Sequence, residues 1–428
     1  MLDIESLRCE SSAMERRLRG KIPDLSLEKL FSLDRQLREE ITLLEQCRAE
    51  QNRASKVIGA KKREGQSLEE DLKGMKTLSS QVQELQMAVR ATKALFFEEM
   101  HQLPNIPLEE VPVATDPEKN VVLKTVGSKP SFPFPIKNHL ELGLSLGLFD
   151  LKRSAKITGS SWPLYTGAGA RLERALLNYM LDTHAQNGFV EIMPPLLVNE
   201  KTMQGAGQLP KFRDQLFALH DPDFPFYLIP TAEVPLNGLH QEEIVSQLPL
   251  LYTAYTPCFR REAGALGRQE RGLIRMHQFN KVELFAVCRP EESAEIFEKI
   301  LQSAEKVLEG LGLHYRNMLL VTGDLSFSAE KTIDIEAFLP AQATDHKGGY
   351  YEVSSVSRCG AFQARRASIR FRGANGVEYA HTLNASGLAT SRLMVSLLET
   401  HQNEEGSIDV PQALIPYLGQ SKIEPKAL

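Results

Sequence analysis

Residues 26–100 contain no proline and no sustained alternation of apolar and polar residues. A stretch of that length can bury its apolar groups only as helix. Leu30, Leu33, Leu37, Leu44, Cys47, Ala54 and Ile58 recur at steps of three and four, as do Leu68, Leu72, Met75, Val82, Val89 and Phe96. Glu40, Gln51, Ser79 and Gln86 interrupt the stripe, so it covers one partner helix rather than a full core. The segment 59–67, "GAKKREGQS", carries a glycine near each end and separates the two halves. The pattern predicts two long antiparallel helices, a coiled-coil hairpin extending about 50 Å at 1.5 Å per residue.

Residues 48–63 hold six basic side chains, Arg48, Arg53, Lys56, Lys61, Lys62 and Arg63, against one acid, Glu50. The whole chain carries a formal net charge of −5, so no global field draws it to a polyanion. The hairpin end is therefore either an ordinary solvated helix tip or a local phosphate-contacting patch. Five scattered cysteines without a C-x-x-C spacing argue against a zinc cage and for reduced thiols in the cytoplasm. No run approaches the roughly 20 apolar residues of a membrane span.

"LPNIPLEEVPVATDP", 103–117, has four prolines and ends the helical region. The expected organisation is a helical hairpin domain over 1–103, a linker over 104–117 and a second domain over 118–428. In that second domain short strand-like runs such as "KVELFAV" alternate irregularly with helical ones, and no G-x-G-x-x-G or Walker phosphate loop occurs. An α+β fold on a mainly antiparallel sheet fits this better than a parallel doubly wound one.

The stretch 259–285, "FRREAGALGRQERGLIRMHQFNKVELF", reads as a strand hairpin bearing Arg260, Arg261, Arg268, Arg271 and Arg275. Alternation places Arg260 with Glu262 on one face, and Arg275, His277, Phe279, Lys281 and Glu283 on one face of the returning strand. Guanidinium matches phosphate in a bidentate way and an aromatic ring can stack a nucleobase. The same residues could equally be cross-strand ion pairs on a solvated sheet. Pro257 removes a ladder bond and predicts an edge or a bulge there.

Further phrases decide between these readings. "LIPTAEVPL", "FRREAG" with "RGLIRMHQFNKVE", "NASGLATSRLMVSLLE", "YTGAGARLERALLNYMLDTHAQNGFVEIMPPLLV" and "YYEVSSVSRCGAFQARRASIRFR" follow one another in the order of a known family. Together with the N-terminal hairpin they resemble the seryl-tRNA synthetases, of class II, over nearly the whole chain. The resemblance implies a class II catalytic domain that joins serine to ATP as an adenylate, uses Mg2+, and loads tRNA(Ser). It also implies a cytoplasmic homodimer, with tRNA(Sec) as a further expected substrate and neither DNA nor a membrane as a partner.

Residue by residue, the resemblance gives Arg260, Glu262 and Arg392 catalytic roles. It places serine at Thr231, Ala232, Glu233, Arg260, Glu283, Asn384 and Ser386. ATP falls at Arg260, Arg261, Glu262, Arg275, Phe279, Glu352, Val353, Ser354, Ser355 and Arg392, with the metal at Glu352 and Ser355. A regular strand points residues three apart to opposite faces, so a shared ion at Glu352 and Ser355 requires a bulge or a strand end. The basic hairpin tip, Arg48, Arg53, Lys56, Lys61, Lys62 and Arg63, becomes the tRNA contact; Arg268 and Arg271 fall in or beside the motif 2 loop.

The sequence departs from the family's usual letters at Arg358, Ala385, Thr390 and Ser391, all expected near the site. Those departures keep two rivals in view, an adenylate-forming paralogue that acts on a carrier protein or in regulation, and a non-enzymatic RNA-binding coiled coil. An alanine at 385 is tolerable only where φ is negative.

Overall fold

The computed structural model describes residues 1–263, 272–342, 348–374 and 376–425. Arg268 and Arg271 lie outside the described residues. Leu2–Pro104 form one compact unit and Asn105–Leu428 a second.

In the first unit, short helices α1 (Ile4–Cys9) and α2 (Ser11–Arg19) precede α3 (Glu28–Arg63) and α4 (Glu69–Gln102). The two long helices run antiparallel, because partners descend on one as they ascend on the other. Gln36 and Glu40 meet Thr92, Gln51 donates to Ser79 at 3.0 Å, and Lys61 pairs with Asp71 at 2.7 Å. Polar seam residues thus pair across the interface, Glu40 through one oxygen only, its Oε2 being buried without a partner. Leu30 and Leu44 of α3 and Val82, Phe96 and Met100 of α4 supply the apolar burial.

Two readings of the seam are corrected. Leu72 is 54% exposed and Asp71 takes its place, and Gln86 is exposed while Leu85 faces the partner. A helix of 3.6 residues per turn drifts against a fixed heptad, so the facing residue slips by one along the arm. Gly59 lies inside α3, whereas Gly65, at φ +70, makes the turn.

The second unit is built on an eight-stranded sheet. Its strands, with those of three small accessory sheets, are β1 (Val121–Val126), β2 (Val190–Glu191), β3 (Leu197–Asn199), β4 (Phe226–Leu228), β5 (Ile244–Val245), β6 (Leu250–Phe259), β7 (Gln278–Cys288), β8 (Tyr315–Leu319), β9 (Lys331–Leu339), β10 (Gly349–Gly360), β11 (Arg370–Gly373), β12 (Gly376–Tyr379), β13 (His381–Ala389), β14 (Ile408–Asp409) and β15 (Lys422–Ile423). The main sheet runs β1-β8-β9-β10-β13-β7-β6-β2. Every neighbouring pair is antiparallel except β2 with β6. The helices are α5 (His139–Leu146), α6 (Leu151–Thr158), α7 (Ala168–Gln186), α8 (Glu200–Gly205), α9 (Glu233–Gly238), α10 (Ser293–Gly310), α11 (Phe362–Ala367), α12 (Thr390–Thr400) and the single turn α13 (Ile415–Leu418). The segment after Pro104 runs along this unit, with Asn105 donating to the Phe327 carbonyl and Leu108 to that of Glu330, both at 2.8 Å.

Alternation along the strands separates a core from a cleft. On β7, Val282, Leu284, Ala286 and Cys288 face helices α7, α10 and α12 in one continuous apolar cluster. Lys281 and Glu283 face the other way. Fully buried leucines such as Leu172, Leu393 and Leu397 each contribute about 2 kcal/mol of transfer free energy. Part of the opposite face is covered by α9, α11 and the sheet β12-β11-β5; the uncovered part is the cleft. Among the described residues no helix is long and apolar enough to cross a membrane.

Candidate active site

β6 ends at Phe259 and β7 begins at Gln278, so the hairpin is shorter than its letters suggest. One further bond, from Arg260 N to the His277 carbonyl, extends the ladder; then Arg261 N turns to the Gln215 carbonyl. Glu262 therefore stands at φ +49 rather than on a strand face, and its carboxylate meets the Arg275 Nε at 2.9 Å. A left-handed non-glycine residue costs about 1 kcal/mol or more, which the ion pair helps offset. His277 leaves the expected face. Its ring packs 5.5 Å from Trp162, which also lies 6.0 Å from Phe217. Pro257 pairs in unbroken register with Asn280, and β2 covers β6 only at Tyr252 and Thr253, so the proline sits where β6 is an edge.

Two cavities of about 460 and 200 Å³ share Arg260, Glu262, Arg275, Lys281, Glu352 and Ser386, forming one cleft with two lobes. The smaller lobe brings together Arg260, Phe279 and Arg392, with the Arg260 guanidinium 5.1 Å from the Phe279 ring centroid. Arg392 reaches in from the first turn of α12, held by the carbonyls of Ile274 (3.3 Å) and Glu352 (2.8 Å). Arg260 Nε donates to the Pro230 carbonyl at 3.3 Å. Cations from two elements and an aromatic ring thus line a space of nucleotide chemistry.

The larger lobe is polar and deep. Thr231 hydroxyl donates to Glu283 at 2.8 Å and accepts from Lys281 at the same distance; Lys281 and Glu283 form a buried ion pair. Glu233 accepts from Gln363 at 2.6 Å and from Asn384 at 3.0 Å. Burial, then the nearby Glu283 carboxylate, pushes Glu233 up to about 7. This wall offers paired carboxylates, an amide and a hydroxyl to a small amine that carries its own hydroxyl.

The bulge required between Glu352 and Ser355 is present. Glu352 opposes Glu336 and Ser354 opposes Ile335, so Val353 is an extra residue. Glu352 and Ser355 consequently line the same lobe. Beneath them Asp334 is held well above the usual carboxylate range by burial and by Glu352, and its Oδ1 is buried without a hydrogen-bond partner. Among the described residues no group of three or more His, Cys, Asp or Glu forms a metal cage.

Not every expected residue contributes a side chain to the cleft. Ala232 is fully buried in the apolar cluster beside α9, Arg261 projects to solvent, and Ser354 donates to the Ser386 carbonyl behind the wall. Val353 and Arg275 do line it. Lys281 and Gln363 had no role in the sequence reading. The alternation Phe279, Lys281, Glu283 signalled the first; nothing local signalled the second, whose partners Glu233 and Thr382 are remote in sequence.

Of the four departures, only Ser391 lines the cleft. Arg358 pairs with Glu330 at 2.6 Å, on the face opposite Ser355 and Ser357. Ala385 is buried in the core at negative φ, in register with Val356 and Leu284. Thr390 donates to buried Glu173. The others lie beside the cleft without facing it: strand parity turns Arg358 and Ala385 away, although Ala385 stands between the lining residues Asn384 and Ser386. In the first unit, Arg48, Arg53, Lys56, Lys62 and Arg63 are exposed, and Lys61 is tied to Asp71.

Comparison with known proteins places these features in one context. Residues 1–107 match the model of the seryl-tRNA synthetase N-terminal domain, and residues 217–401 that of the tRNA synthetase class II core domain (G, H, P, S and T). A serine–tRNA ligase of Syntrophobacter fumaroxidans is 47% identical over 98% of this chain and 99% of its own. One from Chlamydia pneumoniae is 45% identical over 99% of each. The seryl-tRNA synthetase of Pyrococcus horikoshii, solved in complex with ATP, superposes with a TM-score of 0.91 at 34% identity, covering 100% of both chains. With a domain model matched in each half and a 47% identical serine–tRNA ligase aligned over 98% of the chain, the chain belongs to the seryl-tRNA synthetase family, the serine–tRNA ligases of class II.

Proposed function

We propose that this chain activates L-serine with ATP and transfers it to tRNA(Ser), with the chemistry in the two-lobed cleft. Serine carboxylate attacks the α-phosphate in line and pyrophosphate leaves. A ribose hydroxyl at the tRNA end then attacks the acyl carbon, and AMP leaves. The protein forms no bond of its own; it positions the reactants and stabilises charge at phosphorus. The observation that carries this reading is the convergence of Arg260, Phe279 and Arg392 in one lobe beside the buried Thr231–Lys281–Glu283 wall.

Arg260, at the junction of the lobes, bridges the serine carboxylate and the α-phosphate. Phe279 carries the adenine and Arg392 lies over its other face, reaching the terminal phosphate of a folded triphosphate. Arg275 and Glu262 hold the hairpin leg. Glu233, Glu283, Asn384, Ser386 and Thr231 receive the serine ammonium and hydroxyl. A pocket built to hydrogen-bond a hydroxyl rejects alanine, since its own groups would be left unpaired.

The donor set of Glu352 and Ser355 fits Mg2+ held mainly by phosphates, and the orphaned Asp334 oxygen beneath them fits a nearby cation. When bound, that ion would neutralise charge on the triphosphate. The exposed basic tip of α3 contacts the tRNA backbone, tRNA(Sec) included. A homodimer forms across the segment around β2, whose Val190 is 59% and Met193 88% exposed. Domain limits of 1–103 and 118–428 follow this division of labour.

The test is ATP–pyrophosphate exchange with serine, threonine, alanine and glycine, followed by charging of purified tRNA. Serine-specific exchange with charging is expected. Exchange without tRNA charging would favour the carrier-loading paralogue, and no exchange would remove the ligase reading.

A further inference from the structure

A second bulge lies beside the serine wall. Ser386 opposes Glu283 and Leu388 opposes Val282, so Gly387 has no cross-strand partner. A buried carbonyl left out of a ladder needs a donor from elsewhere. His184, fully buried in the last turn of α7, supplies it: Nε2 stands 2.6 Å from the Gly387 carbonyl. Burial holds the imidazole down to about 4, so it is neutral at working pH. Its one proton sits on Nε2 facing the carbonyl, which leaves Nδ1 to accept from the Ser303 hydroxyl at 2.8 Å.

The file continues outward. The Asn187 side-chain amide donates to Ser303 Oγ at 2.9 Å, and Lys306 Nζ donates to Asn187 Oδ1 at 2.6 Å. Each hydrogen bond has a fixed direction from the surface of α10 to the bulge. The fit is tight, because a Cβ on residue 387 would lie 2.6 Å from His184 Nε2. No substrate reaches His184, and nothing in the adenylation chemistry uses it. Its direct link to the cleft runs through Gly387 to Ser386, which lines both lobes.

We infer that His184 is a positioning residue for amino-acid selection, pinning the Gly387 bulge so that Ser386 is set to hydrogen-bond the substrate hydroxyl. The inference rests on the proposed serine activation. Its test uses the full chain in pyrophosphate exchange, with KM measured separately for serine and ATP. His184→Phe fills the space without a donor; His184→Gln restores an N–H toward the carbonyl; Ser303→Ala loosens the ring while leaving it in place.

His184→Phe is expected to raise the serine KM roughly tenfold and to narrow the preference for serine over alanine, with the ATP KM within about twofold. His184→Gln recovers most of the loss, and Ser303→Ala shifts the serine KM in the same direction by about threefold. Should His184→Phe fail to fold, the glutamine and Ser303 variants carry the same test. An unmoved serine KM, or equal shifts for serine and ATP, overturns the inference. Wild-type protein inactive with serine would withdraw the proposed function and this inference together.

Discussion

Arg260 is the residue whose removal should matter most. It stands at the junction of both lobes, so Arg260→Ala should lower serine-dependent exchange by about a thousandfold or more. Retained exchange would take it out of the mechanism. Glu233, pushed up to about 7, gives a pH signature. Below that value its neutral form cannot pair an ammonium, so the serine KM should fall as pH rises through about 7; Glu233→Gln should flatten that slope. A wild-type KM independent of pH would exclude Glu233 from ammonium binding. Glu173 tests the same physics through stability. Burial raises it from the ordinary carboxylate range to about 7, so its favourable contribution is complete below the ordinary range and lost as pH rises through 7. One of its oxygens has no hydrogen-bond partner. Glu173→Gln should therefore stabilise the protein above pH 7 by about 2 kcal/mol and have little effect near pH 5, read by denaturant melts at both values. These residues were unequally legible. Arg260 and Glu283 sit in phrases whose chemistry shows in the letters, whereas His184 and Gln363 act through neighbours distant in the chain, and only the packed structure shows them.

At the level of elements, the hairpin and the bulges carry separable tasks. Replacing residues 30–96 with a short loop should leave pyrophosphate exchange near wild type and abolish tRNA charging; equal loss of both would refute the division. With the exposed cations Arg48, Arg53, Lys56, Lys62 and Arg63 at its tip, the intact arm should show a tRNA KM that climbs steeply with salt. The arm was legible because its three- and four-residue steps extend over tens of residues. Its exact seam was not, since Leu72 and Asp71 differ by one position and only the partner helix decides between them. The Val353 bulge followed from a chemical demand of the resemblance, that the oxygens of Glu352 and Ser355, three residues apart, share one lobe. The hairpin ends did not follow, because Gln215 diverts the chain at Arg261 by a contact no local pattern encodes.

Across the whole molecule, the irregular order of helices and strands pointed to an antiparallel sheet, and the sheet is antiparallel but for β2. Strand order was out of reach: β1 lies against β8, nearly two hundred residues on, and β13 lies between β10 and β7, with Ala385 opposite Val356 on one side and Leu284 on the other, pairings that no local pattern encodes. The proposed dimer belongs to this scale. Met193→Asp should place a charge in an apolar contact and shift sedimentation from a dimer to a monomer at micromolar protein; a monomeric wild type would refute that assembly. Trp162, the single tryptophan among 428 residues, leans on His277, whose carbonyl receives the Arg260 amide. All indole emission from this protein therefore originates one residue contact from Arg260, the junction of the two lobes. The proposed filling of the cleft by ATP or serine should therefore register as a change in the light emitted by an unlabelled sample in a fluorimeter.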